Sequence, residues 1–117
     1  MVERRFSPRF PLKQTVIMHS TRSTTNAVLV NVSTGGLAII SPYPLLMGAS
    51  VTVDTLFPAA TNISRFFAQC CVTGAKRTAD ENKYLMGLQF IDVADTHRNV
   101  LAQFIVRERR RRPSIPS

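Results

Sequence analysis

The stretch Thr25-Asn26-Ala27-Val28-Leu29-Val30-Asn31-Val32-Ser33-Thr34-Gly35-Gly36 begins as an apolar run and ends in polar side chains and glycines. From Thr25 to Ser33 it is rich in β-branched residues, which pack well on a pleated surface, and it reads as a strand. Alternation with period two puts Asn31 and Ser33 on one face and Val28, Val30 and Val32 on the other. The valines are therefore expected in a core, and the amide and hydroxyl are left to meet something polar. Gly35 and Gly36 admit positive φ and let a backbone or a ligand approach where a Cβ would block it. Strings of this kind are also ordinary turns in which Asn and Ser bond the local backbone. The hexapeptide from Asn31 to Gly36 thus has two readings, one wall of a ligand site or a plain turn.

The same alternation recurs outward from this stretch. Gln14 to Thr21 sets Val16 and Met18 against Thr15, Ile17 and His19, and the polar run Ser20 to Asn26 turns the chain. Leu37 to Ile40 is apolar on both faces and is ended by Ser41-Pro42-Tyr43-Pro44; Leu45-Leu46-Met47-Gly48 is expected to cap one end of the core. Val51, Val53, Thr55 and Phe57 alternate with Thr52, Asp54 and Leu56. Arg65 to Arg77 is longer, with Phe66, Ala68, Cys70 and Val72 opposing Phe67, Gln69, Cys71 and Thr73, and Gly74 marks a bulge. After the turn from Thr78 to Lys83, Tyr84 to Ile91 places Tyr84, Met86, Leu88 and Phe90 on one face. Such a series of short strands predicts an all-β fold, a small antiparallel six-stranded β-barrel.

The tail changes period. Asp95 is a candidate N-cap, and His97, Leu101, Phe104, Ile105 and Glu108 fall on one side of a C-terminal α-helix. That helix would lay Val100, Leu101, Phe104 and Ile105 against the barrel. Arg107 and Arg109 to Arg112 follow at its C-terminal end, where cations suit the helix dipole, before Pro113 stops it.

At 117 residues the chain suits one domain. The expected organisation is an N-terminal ligand-binding arm at 1–13, a barrel at 14–93, and the helix with its Arg-rich tail at 94–117. The formal charge of +8 sits at the two ends, because the five Lys/Arg between residues 14 and 97 are matched by five acids. The body carries no net field, so any anion chemistry falls to the ends. No apolar run approaches the roughly eighteen residues of a membrane span, and no signal-peptide core follows Met1-Val2-Glu3-Arg4-Arg5, so no membrane insertion and a cytoplasmic location are expected. Cys70 and Cys71 are adjacent, face opposite sides of a strand and fit a reducing compartment. His19 and His97 have no metal-spaced partners, and no nucleophile, acid–base pair or P-loop lysine accompanies Gly35-Gly36. No enzyme activity, cofactor or metal is expected.

Near the N-terminus, Arg4-Arg5-Phe6-Ser7-Pro8-Arg9-Phe10-Pro11-Leu12 is an arm whose prolines oppose helix and favour extended backbone. Extended geometry puts Arg5 and Arg9 on one side, with Phe6 and Phe10 on the other to pin the arm to the barrel. Solvated arginines on a loose terminus would look the same.

Arg5-Phe6-Ser7-Pro8-Arg9 in an arm, followed by Asn31-Val32-Ser33-Thr34-Gly35-Gly36 on a strand of a small barrel, resembles the PilZ domain family, whose signature is R-x-x-x-R and then [D/N]-x-S-x-x-G. Met86-Gly87-Leu88-Gln89-Phe90 and the following helix are similar to the family's closing elements, so the likeness covers nearly the whole chain. Asn31 stands where Asp is common, and the Arg-rich tail lies outside the shared pattern. The resemblance implies a stand-alone bacterial receptor for the second messenger cyclic di-GMP, which the family often holds as a stacked pair. It also implies that the arm changes conformation on binding and signals to a partner protein whose identity is unknown. An Arg fork matches the O6 and N7 acceptors of guanine, and guanidinium groups also bind phosphate and stack on bases. Arg5 and Arg9 are then the candidate carriers of guanine and phosphate contacts, with Arg4 an auxiliary cation. Asn31 would bond a guanine edge, Ser33 a base, phosphate or backbone, and Gly36 would let the purine or the arm pack close. Two alternatives stay open: an adaptor of the same fold that works without nucleotide, and a basic β-barrel that binds single-stranded nucleic acid. The second would need cations interleaved with exposed aromatics, which the neutral body does not supply beyond Phe6 and Phe10, so no specific nucleic acid is expected.

Overall fold

The computed structural model describes residues 10–21, 23–58, 63–79 and 82–111. Within them the chain forms β1 (Phe10–His19), β2 (Thr24–Val32), β3 (Gly36–Ser41), β4 (Ser50–Pro58), β5 (Ile63–Arg77), β6 (Tyr84–Asp92) and α1 (Asp95–Arg111). The strands close into an antiparallel barrel in the order β1-β2-β3-β6-β5-β4. The alternation in β4, β5 and β6 is reproduced: Val51, Val53, Phe57, Phe66, Ala68, Cys70, Val72, Met86 and Leu88 are all buried. Thr55, also buried, occupies the same inward row of β4.

Strand β2 departs from the expected phase. Val28 is 40% exposed and Val30 half-buried, whereas Ala27, Leu29 and Val32 face the core. The register against β3 slips between Leu29 and Asn31, so one extra residue sits in β2 at Val30. A bulge of this kind flips the phase of everything beyond it. Leu29 and Val32 can therefore both point inward, and Asn31 is turned to the outer face.

The first strand begins at Phe10, earlier than the expected Gln14, so the end of the predicted arm belongs to the sheet. Phe10 pairs with Val32 and Pro11 with Asn31. Pairing of β1 with β4 is confined to Ile17–His19 against Asp54–Thr52, which leaves the first half of β1 an edge on that side. An edge tolerates the missing N–H of Pro11.

One end of the barrel, where β6 ends, is closed by α1. Leu101, Phe104 and Ile105 are at most 4% exposed, and Phe104 stacks on Phe57 with centroids 4.5 Å apart. Asp95 is the first helical residue, not the cap: the Arg98 amide donates to the Ala94 carbonyl, so Ala94 precedes the helix and Asp95 acts through the dipole. At the opposite end the β3–β4 connection is less buried than expected. Leu45 packs on the core, but Leu46 and Met47 are 83% and 70% exposed. Gly48 there has φ 88°, and Gly35 and Gly36 do not adopt positive φ.

Candidate functional site

The residues of the second motif come together where β2 turns into β3. The Ser33 amide donates to the Gly36 carbonyl at 2.9 Å. Ser33 Oγ accepts from the Gly35 amide at 3.3 Å and faces the Gly36 carbonyl at 3.4 Å. With 2% exposure, Ser33 is held inside the turn it stabilises. Its hydroxyl therefore does what the plain-turn reading requires, and one free lone pair is what remains for anything else.

Gly36 has a reason within the sheet itself. It pairs with Gln89 of β6, and a Cβ added to it would collide with the Leu88 carbonyl. The neighbouring Phe90 amide donates to the Gly35 carbonyl at 3.0 Å, so β6 is fastened against both glycines. A Cβ on Gly35, by contrast, meets nothing within 4 Å.

Asn31 is the half-buried polar side chain of the group, turned outward by the β2 bulge. Its cross-strand neighbours are Pro11 in β1 and Ala38 in β3, and Ala38 in turn pairs with Gly87 in β6. Leu37, Ile39, Met86 and Leu88 face the core, so alternation puts Ala38 and Gly87 on the outer face beside Asn31. The result is a strip with little side chain on it, running across three strands next to the turn. Thr73 covers its far end, with Oγ1 donating to the Gly87 carbonyl at 3.2 Å. Ala38 was not singled out by sequence; the one small residue in Leu37-Ala38-Ile39-Ile40 is the signal that could have found it, whereas Gly87 lies in the stretch Met86-Gly87-Leu88-Gln89-Phe90 already likened to the family's closing elements. Arg4, Arg5, Arg9 and Phe6 lie outside the described residues.

A pocket of about 250 Å³ lies at the other end of the barrel, lined by Met18, Ser20, Ser23, Ser41, Tyr43 and Leu45 among others. None of its lining side chains is charged, and none belongs to either motif. On the outer face of β4 and β5, Arg65 grips Asp54 with two hydrogen bonds, Nε to Oδ1 at 3.0 Å and Nη2 to Oδ2 at 2.8 Å, and lies over the Phe67 ring. The bond from Arg65 holds the Asp54 carboxyl below its ordinary value, against a smaller opposing effect of burial. His97 joins the same cluster through the Arg65 carbonyl at 3.1 Å. Among the described residues no group of three His, Cys, Asp or Glu could hold a metal ion. Nor is any helix there long and apolar enough to cross a membrane.

Comparison with solved structures finds the same fold. The Bacillus subtilis inhibitor of motility MotI/DgrA superposes with a TM-score of 0.82 at 17% identity, over 97% of this chain and 55% of that one. Escherichia coli YcgR in complex with c-di-GMP matches at 0.69 and 17% identity over 94% of this chain and 48% of that one. The isolated PilZ domain of YcgR with c-di-GMP matches at 0.68 and 14% identity, covering 97% of this chain and all of that one. The chain thus spans about half the length of MotI and of full YcgR. No curated protein sequence gives a significant match. The PilZ domain family model matches residues 3–107, a span that takes in both motifs, the barrel and most of α1, and the chain belongs to the PilZ domain family.

Proposed function

We propose that this protein is a cyclic di-GMP receptor that binds the nucleotide on the outer face of the barrel, between the N-terminal arm and the β2–β3 turn. The observation that carries the reading is the register of β1. Phe10 pairs with Val32 and Pro11 with Asn31, so Arg9 is the next residue in the chain after a pairing that already reaches the turn. That register brings the start of β1, one residue along the chain from Arg9, beside the Asn31 half of the family signature. Support in kind comes from relatives of the fold, since YcgR was solved with c-di-GMP and so was Klebsiella pneumoniae MrkH.

In this reading Arg5 and Arg9 grip guanine and phosphate with charge-assisted bonds, and Arg4 adds cationic charge. Asn31 bonds a guanine edge. The strip from Ala38 toward Gly87 gives a purine a flat floor that ends at Thr73. Ser33 and Gly36 act on the ligand through the shape of the turn, and the single lone pair left on Ser33 suits a guanine N–H better than a phosphate oxygen. Binding draws the arm over the strip and presents a new surface to a partner protein, so the role is reception and relay in the cytoplasm, without chemistry on the ligand.

Isothermal titration calorimetry tests this. The wild-type protein should bind cyclic di-GMP at micromolar concentration or tighter. Arg9→Ala should abolish that heat with the barrel still folded, and Asn31→Ala should weaken it by about tenfold, the size of one or two lost hydrogen bonds to a charged or polar partner. No heat from the wild-type protein would refute the reading, and tight binding to a random single-stranded oligonucleotide would favour the nucleic-acid alternative instead.

A further inference from the structure

The seam between β1 and β4 is where the barrel is least complete. Backbone pairing there stops at Ile17 and Asp54, and a different set of bonds takes over toward the arm. Gln14 Nε2 donates both to Thr55 Oγ1 at 2.9 Å and to the Leu56 carbonyl at 2.7 Å. Thr55 Oγ1 donates to the Thr15 carbonyl at 2.9 Å. Two side chains thus stand in for the missing ladder and tie β1 to β4 across residues forty or more positions apart.

Thr55 is an odd choice for packing alone. It is 5% exposed in an inward row otherwise made of Val51, Val53 and Phe57. A hydroxyl there costs free energy unless it is bonded, whereas valine would fill the same space. The bonds also sit at a particular place: β1 slips register against β2 between Pro11 and Gln14. Gln14 is the first residue after that irregularity, so holding it fixes the phase in which Phe10 and Pro11 meet Val32 and Asn31.

We infer that Gln14 and Thr55 are positioning residues for the first half of β1, from which the N-terminal arm continues, locking it in the register that pairs Pro11 with Asn31. They touch no ligand. Their effect on affinity rests on the cyclic di-GMP reading above, but their effect on β1 does not.

The test compares the wild type with Thr55→Val, Gln14→Met and Thr55→Ser by hydrogen–deuterium exchange of the free protein and by cyclic di-GMP titration. In Thr55→Val and Gln14→Met, amides between Phe10 and Val16 should exchange about tenfold faster while β5 and β6 keep their protection, a local loss the size of one or two hydrogen bonds. The same two variants should raise the Kd about tenfold, and Thr55→Ser, which keeps the hydroxyl, should restore both readouts. Uniformly faster exchange across the barrel with unchanged Kd would mean the two residues only stabilise the fold, and would overturn the inference. So would β1 exchange that does not change. Should the wild type bind no cyclic di-GMP, the ligand reading fails, and the exchange arm still decides whether Gln14 and Thr55 position β1.

Discussion

Two adjacent glycines should respond in opposite ways to the same substitution. In Gly36→Ala the new methyl is driven into the Leu88 carbonyl, a backbone atom held in the β3–β6 ladder from Gly36↔Gln89 to Ser41↔Tyr84. Relief requires the start of β3 to lift from β6, which gives up the Phe90–Gly35 bond and the Ser33–Gly36 bond. At about 0.5–1.5 kcal/mol for each net hydrogen bond, the loss is about 1–3 kcal/mol. Restricting the unfolded chain by replacing glycine returns about 0.4–1 kcal/mol, so the variant should be destabilised by about 1–2 kcal/mol. For a domain of this size that lowers Tm by about 5–15 °C. Gly35→Ala has open space around the new Cβ and no positive φ to satisfy, so the unfolded-state term stands alone and Tm should hold or rise by a few degrees. Thermal unfolding followed by circular dichroism measures both. If Gly36→Ala melts with the wild type, or the two variants move together, the close approach of β6 is not what demands glycine at position 36.

Phe104→Ala removes the ring that stacks on Phe57 and seals the barrel end, and should cost about 3–5 kcal/mol, visible as a large drop in the urea midpoint; a loss below about 1 kcal/mol would mean that α1 is not part of the core. Because the Asp54 carboxyl is held below 3.8 by Arg65, its contribution is present above that pH and is lost as pH falls through the lowered value. Asp54→Asn should therefore flatten the acid limb of a stability–pH curve and leave its shape near neutrality unchanged, and identical acid limbs would count against the pairing. Burial pushes the Cys70 thiol up to about 12, while Cys71 lies on the outer, half-buried face of β5. Alkylation of the native protein at mildly alkaline pH should mark Cys71 alone by mass spectrometry, with Cys70 reacting only after unfolding, and equal labelling would contradict the inward placement of Cys70.

Legibility of the fold followed how sharply each strand separates its two faces. In β4 and β5 the inward residues alternate with Thr52, Asp54, Arg65 and Gln69, so the phase is unambiguous in the sequence. In β2, Ala27-Val28-Leu29-Val30 is apolar on both sides, and nothing local says which pair is buried or that an extra residue intervenes before Asn31. The β3–β4 connection misled for a related reason. Leu46 and Met47 are apolar, but a loop leaving the barrel has no second layer to cover it.

The candidate site divides in the same way. The spacing of Asn31, Ser33 and Gly36 could be read directly, and Ser33 is local enough that its turn role was already one of the two readings. The reason for Gly36 was not readable, because the colliding atom belongs to Leu88 and is brought there by sheet closure. Gln14 and Thr55 were hidden for the same cause, although a lone hydroxyl among Val51, Val53 and Phe57 is a detectable irregularity.

The half-paired seam also bears on the order in which the barrel assembles. The β1–β2, β2–β3, β4–β5 and β5–β6 contacts are hairpins between successive strands and close short loops, whereas Thr15 and Thr55 meet across forty residues. Loop-closure entropy makes that contact late. Truncations at Gln14 and Thr55 should accordingly speed unfolding and leave the folding rate nearly untouched, with φ-values near zero, while Phe66 and Val53 in the β4–β5 hairpin carry the high values. The seam on the β4 side of the strand that leads to the arginine motif then closes late in folding and opens early in unfolding.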